Sequence, residues 1–101
     1  MDINISDKTL LIIKKMQLGE VTESVIYAKI AKFAKGKENK ETLLKLSEEE
    51  KAHALIWENY TGIKMKPKKS KVLKYVFLAR IFGFTFAIKK KEKGEKNAQT
   101  V

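Results

Sequence analysis

Two long segments of the chain repeat hydrophobic residues at steps of three and four, the spacing of one face of an α-helix. The first predicted helix covers residues 6–35, with Ser6 as its N-cap and the glycine of AKGKEN in the turn that follows. The second covers residues 39–60 and ends where Thr61 and Gly62 supply a stop. The pattern therefore predicts a helical hairpin.

The C-terminal part of the chain follows a lysine-rich loop, IKMKPKKS, which contains the single proline, Pro67. A third helix is predicted from Ser70, Gly83 breaks or kinks it, and a last helix is predicted over residues 84–101. Ala, Leu, Ile, Lys and Glu dominate the long segments, and these residues favour helix over strand. We therefore predict an all-α fold.

One segment, residues 72–88, is apolar enough to be considered as a membrane span. It is 17 residues long and contains Lys74 and Arg80, whereas a span needs about 20 apolar residues with few charges. We expect a helix that is buried in the protein or that lies on a membrane surface or a partner.

The second predicted helix carries two unexpected residues on its apolar face. One side of this helix presents, in order, Leu43, Leu46, Glu50, His53, Trp57 and Tyr60. Glu50 and His53 stand one turn apart where hydrophobic residues belong, and His53 is the only histidine in the chain. A buried carboxylate must be protonated, paired or bound to a cation. We assign Trp57 to packing.

The first predicted helix has a matching glutamate on its own apolar face, which is formed by Ile13, Met16, Glu20, Tyr27, Ala31 and Ala34. In an antiparallel hairpin, the midpoint between facing residues falls at the turn. The midpoint between Glu20 and Glu50 is position 35, inside the predicted turn. The sequence thus predicts that Glu20, Glu50 and His53 lie at one level.

Two interpretations of this cluster remain open at this point. In the simpler one, His53 is a hydrogen-bond partner of a buried Glu50 and the pair fixes the register of the hairpin. In the other, Glu50 and His53 bind one cation together, and Glu20 from the facing helix bridges to a second. We favour the metal interpretation, because three potential ligands at one level are more specific than a single Glu-x-x-His pair.

Charge divides this single predicted domain, residues 1–101, into two parts. Residues 1–63 hold ten lysines and ten acidic residues, whereas residues 64–93 hold eleven basic residues and one acid, so the net charge of +10 lies in the second part. We therefore separate a metal-binding hairpin, residues 1–62, from a basic helical segment, residues 63–101. The absence of cysteine excludes thiolate metal sites. With no secretory pattern at the N-terminus, we expect a cytoplasmic protein that could associate with a membrane.

The segment GEVTESVIYAKIAKFAKGKENKETLLKLSEEEKAHALIWENYTG resembles the first helical hairpin of rubrerythrin and its ferritin-like relatives. The matching elements are Glu20, Tyr27 seven residues later, and the Glu50 to His53 pair. The continuation KMKPKKSKVLKYVFLARIFGFTFAIKKKEKGEKNAQTV is similar to the ferritin-like domain found on membrane transporters of the vacuolar iron transporter type.

This resemblance implies a non-haem di-iron or di-manganese carboxylate site in a four-helix bundle, with Glu20, Glu50 and His53 as ligands. It implies Fe as the cofactor, with Mn or Zn as substitutes, and a ferroxidase or peroxide-reducing role in iron handling or oxidative-stress defence. Tyr27 would donate a hydrogen bond to a ligating glutamate. A complete site of this kind needs two Glu-x-x-His pairs, and the chain has one.

Two ways of completing the site follow. In a homodimer or larger oligomer, two copies supply four carboxylates and two imidazoles and together form the four-helix bundle. Within one chain, further ligands could come from Glu23, one turn after Glu20, or from Glu92 and Glu95; Gly94 and Glu95 repeat the Gly19 and Glu20 pair. We favour the homodimer.

A different class of function is a non-enzymatic basic module, in which the basic segment docks on an anionic membrane or on nucleic acid and Glu50 and His53 are structural. Clustered lysines give salt-dependent binding to either partner. Nucleic acid is the less favoured partner, because the segment has one arginine and few exposed aromatics for reading bases.

Overall fold

The computed structural model describes residues 6–83 together with residues 89 and 90. Three helices lie wholly within the described residues: α1 (Asp7–Ala31), α2 (Lys37–Thr61) and α3 (Lys69–Phe82). The described residues form no strands, so the prediction of an all-α fold is confirmed for this part of the chain. Of the predicted last helix, only Lys89 and Lys90 are described, and both are helical.

The helix ends follow the predicted signals with one difference. Ser6 caps α1, its hydroxyl accepting a hydrogen bond from the Thr9 amide at 3.2 Å. The predicted end of this helix at position 35 is wrong, because the chain tightens after Ala31: the Phe33 amide bonds to the Ile30 carbonyl, three residues back. Gly36 then takes a φ of 89° that favours glycine, and α2 begins at the next residue.

The second helix ends at a left-handed glycine, as the sequence indicates. Gly62 has a φ of 68°, and its amide bonds to the Glu58 carbonyl at 2.7 Å. Gly83 ends α3 with a positive φ of 95° but an extended ψ of 156°, and its amide bonds to the Ala79 carbonyl at 2.9 Å. The predicted break at Gly83 is confirmed.

The core of the protein lies at the turn end of the hairpin, where all three helices meet. Ile26 and Ile30 of α1 and Leu43 of α2 are almost completely buried. Helix α3 adds Val72, Tyr75 and Ala79 to this cluster and packs mainly against α1. Because α3 covers only this half of the hairpin, the described residues leave one side of the other half uncovered.

The connection between α2 and α3 is tied to α1 at both of its ends. Gln17, which is 1% exposed, donates from Nε2 to the Ile63 carbonyl at 2.6 Å and accepts from the Thr61 hydroxyl at 2.7 Å. The Thr22 hydroxyl accepts from the Lys68 amide at 3.0 Å. These buried hydrogen bonds fix where α3 begins beside α1.

In the uncovered half of the hairpin, some residues that were predicted to be buried are exposed. Met16, His53 and Tyr60, all placed on the buried stripes by their spacing, are exposed. The prediction of burial is wrong for these three residues, because no helix among the described residues covers that side. No helix among the described residues is both long and apolar enough to cross a bilayer.

Candidate metal centre

Glu20, Glu50 and His53 come together in the groove between α1 and α2. Glu20 lies in the middle of α1, and Glu50 and His53 lie one turn apart on α2, so the antiparallel hairpin brings them to one level. One potential ligand atom from each residue can be chosen so that all three lie within 4.8 Å of one another. The predicted convergence of the three side chains is therefore present.

On α2, the side chains of Glu50 and His53 lie side by side without a short hydrogen bond between them. His53 Nδ1 lies 3.6 Å from Glu50 Oε1, which is within ion-pair range but longer than a good hydrogen bond. The Glu50 side chain is 19% exposed and that of His53 is 55% exposed. An imidazole with this exposure retains access to solvent and to an entering ion.

Glu20 is the electrostatically strained member of the group. Its Oε2 atom is buried and has no hydrogen-bond partner among the described residues. Burial raises the pKa of Glu20 and the nearby Glu23 carboxylate raises it further, while a hydrogen bond from Trp57 and the proximity of His53 oppose the shift. A buried acceptor without a partner costs about 1–3 kcal/mol, so this oxygen favours a proton or a cation.

The spacing of the group is close to that of a metal site. Two ligand atoms that each lie about 2.1 Å from one ion are at most about 4.2 Å apart. The observed spread of 4.8 Å is slightly wider, so a small rotation of a side chain brings all three within reach of a single ion. The residues thus fit a divalent cation in ligand type, and their geometry would fit one after that rotation.

The group opens into a depression of about 250 Å³ that is lined by Glu20, His53, Ile56 and Trp57. Large apolar side chains continue this surface along the two helices. Ile56 is 53% exposed, Met16, one turn before Glu20, is 44% exposed, and Tyr60 is 39% exposed. The candidate site therefore lies within an apolar surface that the described residues leave uncovered.

Trp57 has a role at the site that the sequence reasoning missed. Its side chain hydrogen-bonds the Glu20 carboxylate and forms one wall of the depression, so its assignment to packing alone is incomplete. The sequence does hold a signal for this placement, because Trp57 lies four residues after His53 and therefore on the same face of the helix. The indole N–H can orient Glu20 from the facing helix.

The other residues predicted at the site are the possible ligands Glu23, Glu92 and Glu95 and the hydrogen-bond donor Tyr27. Glu23 lies close enough to Glu20 to raise its pKa but is not a member of the three-residue group. Tyr27 is buried, at 7% exposure, and its hydrogen bond to a ligating glutamate stays a prediction. Glu92 and Glu95 lie outside the described residues.

Comparisons of the chain with models of protein families, with curated proteins and with solved structures found no match. The resemblance to rubrerythrin and the ferritin-like proteins therefore remains an expectation from the sequence.

Proposed function

We propose that this protein is a non-haem metal-carboxylate protein that binds Fe(II), or Mn(II) in its place, through Glu20, Glu50 and His53. The observation that supports this proposal best is the buried Glu20 Oε2, which has no partner among the described residues, on a carboxylate that lies within 4.8 Å of ligand atoms of Glu50 and His53. A divalent cation would neutralise the carboxylates and give this oxygen its missing interaction.

The ligand types favour iron or manganese. Carboxylate oxygens are hard ligands, imidazole is intermediate, and no thiolate is available because the chain lacks cysteine. Zinc accepts the same ligands and is expected as a substitute in metal-supplemented samples. Copper(II) prefers tetragonal sites that are richer in nitrogen.

Two copies of the chain would together supply enough ligands for a complete site. One chain offers two carboxylates and one imidazole at this position, and two copies related by a two-fold axis offer twice that number, which suffices for two ions. The same association would cover Met16, Ile56 and Tyr60, which are exposed in the single chain. We therefore propose a homodimer, or a larger oligomer of such pairs, in which two hairpins form a four-helix bundle around two ions.

In such a centre the ions would supply the redox chemistry, and the protein would hold and orient them. A bound ferrous pair would supply two electrons for the reduction of oxygen or peroxide and would become ferric, so that turnover would need an external reductant or replacement by fresh Fe(II). The chain's residues would hold the ions: Glu50 and His53 from one helix and Glu20 from the other, with Trp57 orienting Glu20 through its hydrogen bond. Burying the apolar rim between two copies would restrict water at the site. We propose turnover as a ferroxidase or peroxidase on the resemblance alone.

Metal titration under anaerobic, reducing conditions tests the proposal. Trp57 is the only tryptophan and contacts Glu20, so Fe(II) or Mn(II) at the site should quench its fluorescence. We expect saturable binding of one ion per chain by equilibrium dialysis with elemental analysis, and a parallel loss of fluorescence. Glu50→Ala and His53→Ala should abolish both signals.

Glu49→Ala is the matched control, because Glu49 is an exposed neighbour on the same helix turn and does not belong to the group. It should bind metal as the unmodified chain does. A wild-type protein that binds neither iron nor manganese, or equal binding by Glu50→Ala and Glu49→Ala, would refute the proposal.

A further inference from the structure

Helix α3 has apolar residues on both of its sides, although only one side is packed. Val72, Tyr75 and Ala79 are buried in the core with α1. On the opposite side, the side chains of Leu73, Phe77 and Ile81 recur every four residues and are 70%, 62% and 58% exposed. We call these three residues the outer stripe of α3.

Basic residues surround the outer stripe without any acidic residue nearby in sequence. Residues 62–83 contain seven lysines and arginines and no Asp or Glu. Lys74 and Arg80 lie three residues before and after Phe77, which places them about 60° to either side of it around the helix. Both are exposed, and the Arg80 guanidinium also stacks on Phe33, 4.7 Å from the ring centre. The outer stripe is thus an apolar ridge between cations.

An apolar cleft adjoins the outer stripe at Leu73. It has a volume of about 320 Å³ and lies between α1 and α3, where Val25, Pro67, Val72 and Leu73 line it together with Lys29 and Lys69. Both lysines are exposed. An apolar cavity with two ammonium groups beside it suits a molecule that has a hydrocarbon part and an anionic part.

We propose that the outer stripe and this cleft form a docking surface for an anionic lipid bilayer. Leu73, Phe77 and Ile81 would enter the boundary between headgroups and acyl chains, and the surrounding lysines would remain among the phosphates. Charge complementarity identifies the partner, because a bilayer that contains acidic lipids offers both apolar and anionic groups over a wide area.

Other occupants fit this surface less well. A second α3, or the net-basic residues 84–101, would bring more lysines against the lysines already present. Nucleic acid would match the charge but leave the three apolar side chains in water. The proposal does not depend on the metal site, whose three residues belong to α1 and α2, so it can be tested on metal-free protein.

The test is sedimentation of the full, metal-free chain with lipid vesicles. Vesicles of phosphatidylcholine alone are compared with vesicles that also contain phosphatidylglycerol, at low and at high salt. We expect binding to the anionic vesicles only, weakened by salt because the lysine contribution is screened. Absence of binding to anionic vesicles at low salt overturns the proposal, and so does equal binding to both kinds of vesicle.

Substitutions assign the binding to the outer stripe. Phe77→Gln should weaken binding by about tenfold or more, since a buried Phe side chain contributes enough free energy for such a change. Leu55→Gln on α2 is the matched control, because Leu55 is 57% exposed and lies outside the stripe; its binding should not change. Lys74→Glu, at an exposed position, should also reduce binding. Equal affinity of Phe77→Gln and Leu55→Gln, or no effect of Lys74→Glu, contradicts the assignment.

Discussion

At the scale of single residues, Glu20 determines how the candidate site can behave. Its carboxylate is held between α1 and α2 with one buried oxygen that has no partner among the described residues, and Trp57 and His53 compensate only part of the cost of burial. In the absence of metal, the folded chain therefore holds a proton on Glu20 more tightly than the unfolded chain does. Metal binding and proton binding at Glu20 should compete.

A pH-dependent effect on stability follows from this raised pKa. Below pH of about 4.5, the ordinary value for this group, Glu20 is protonated in both the folded and the unfolded chain and adds no cost. As the pH rises through the higher pKa of the folded state, the folded chain must ionise a partly buried carboxyl group, and stability is lost.

Glu20→Gln should therefore stabilise the metal-free protein at neutral pH and leave its stability nearly unchanged near pH 4. A stabilisation of about 1 kcal/mol would raise the melting temperature by about 4–8 °C in a domain of this size. Thermal unfolding at the two pH values measures the effect. A variant that is less stable than wild type at neutral pH would show that the ionised Glu20 is well accommodated without metal.

At the scale of helices and turns, the sequence predicts correctly those features that depend on residues close together in the chain. The Ser6 cap, the stop at Thr61 and Gly62 and the break at Gly83 were all predicted and are all present. The convergence of Glu20 with the Glu50 and His53 pair was also predictable, because the turn position and the helical repeat together set the register of a hairpin.

The early end of α1 and the exposure of the site could not be predicted from local sequence, because both depend on contacts between residues far apart in the chain. The chain after Ala31 tightens where Phe33 turns toward α3 and stacks with Arg80, a contact between residues far apart in sequence. Hydrophobic spacing predicts which side of a helix is apolar, but it does not reveal whether another helix covers that side. Met16 and Tyr60 were therefore placed on the correct helix faces with the wrong burial.

A buried pair of serines offers a test of the hairpin register. Ser47 of α2 donates its hydroxyl to the Ser24 carbonyl of α1 at 2.8 Å, and the two hydroxyls lie 3.3 Å apart. Ser47→Ala should lower the free energy of unfolding by about 1 kcal/mol, because it leaves buried acceptors without this donor.

The double variant Ser24→Ala/Ser47→Ala should lose less than the sum of the two single variants, as expected for two groups in contact. Urea unfolding measures all three free energies, with Ser70→Ala at an exposed position of α3 as the control. Strictly additive losses would mean that the two hydroxyls do not interact in solution.

At the scale of the whole molecule, the described part of the chain is a hairpin covered on one half and open on the other. The core formed with α3 stabilises the turn end, while the candidate metal centre lies at the open part, surrounded by exposed apolar side chains. This distribution supports the proposal that a second copy covers the open part and that metal binding and association are coupled.

Substitution of an apolar residue at the open part should weaken the oligomer while each chain stays folded. Ile56 lines the depression and is 53% exposed, so Ile56→Glu should weaken both association and metal affinity by placing a charge in the proposed contact. Leu44→Glu is the control, because Leu44 is 51% exposed, belongs to the same helix and does not line the depression.

Light scattering combined with metal analysis distinguishes the two variants. We expect a smaller mass and less bound metal for Ile56→Glu, with both unchanged for Leu44→Glu. Identical masses and metal contents for the two variants would place any association elsewhere on the protein.

The most direct test of the shared metal centre is native mass spectrometry of the full chain loaded with Fe(II) in the absence of oxygen. The proposal predicts a principal species of two chains with two iron ions, and a Glu50→Ala protein that carries no iron. A single 11.6 kDa chain that holds both ions, or a dimer that remains free of iron at saturating Fe(II), would contradict it.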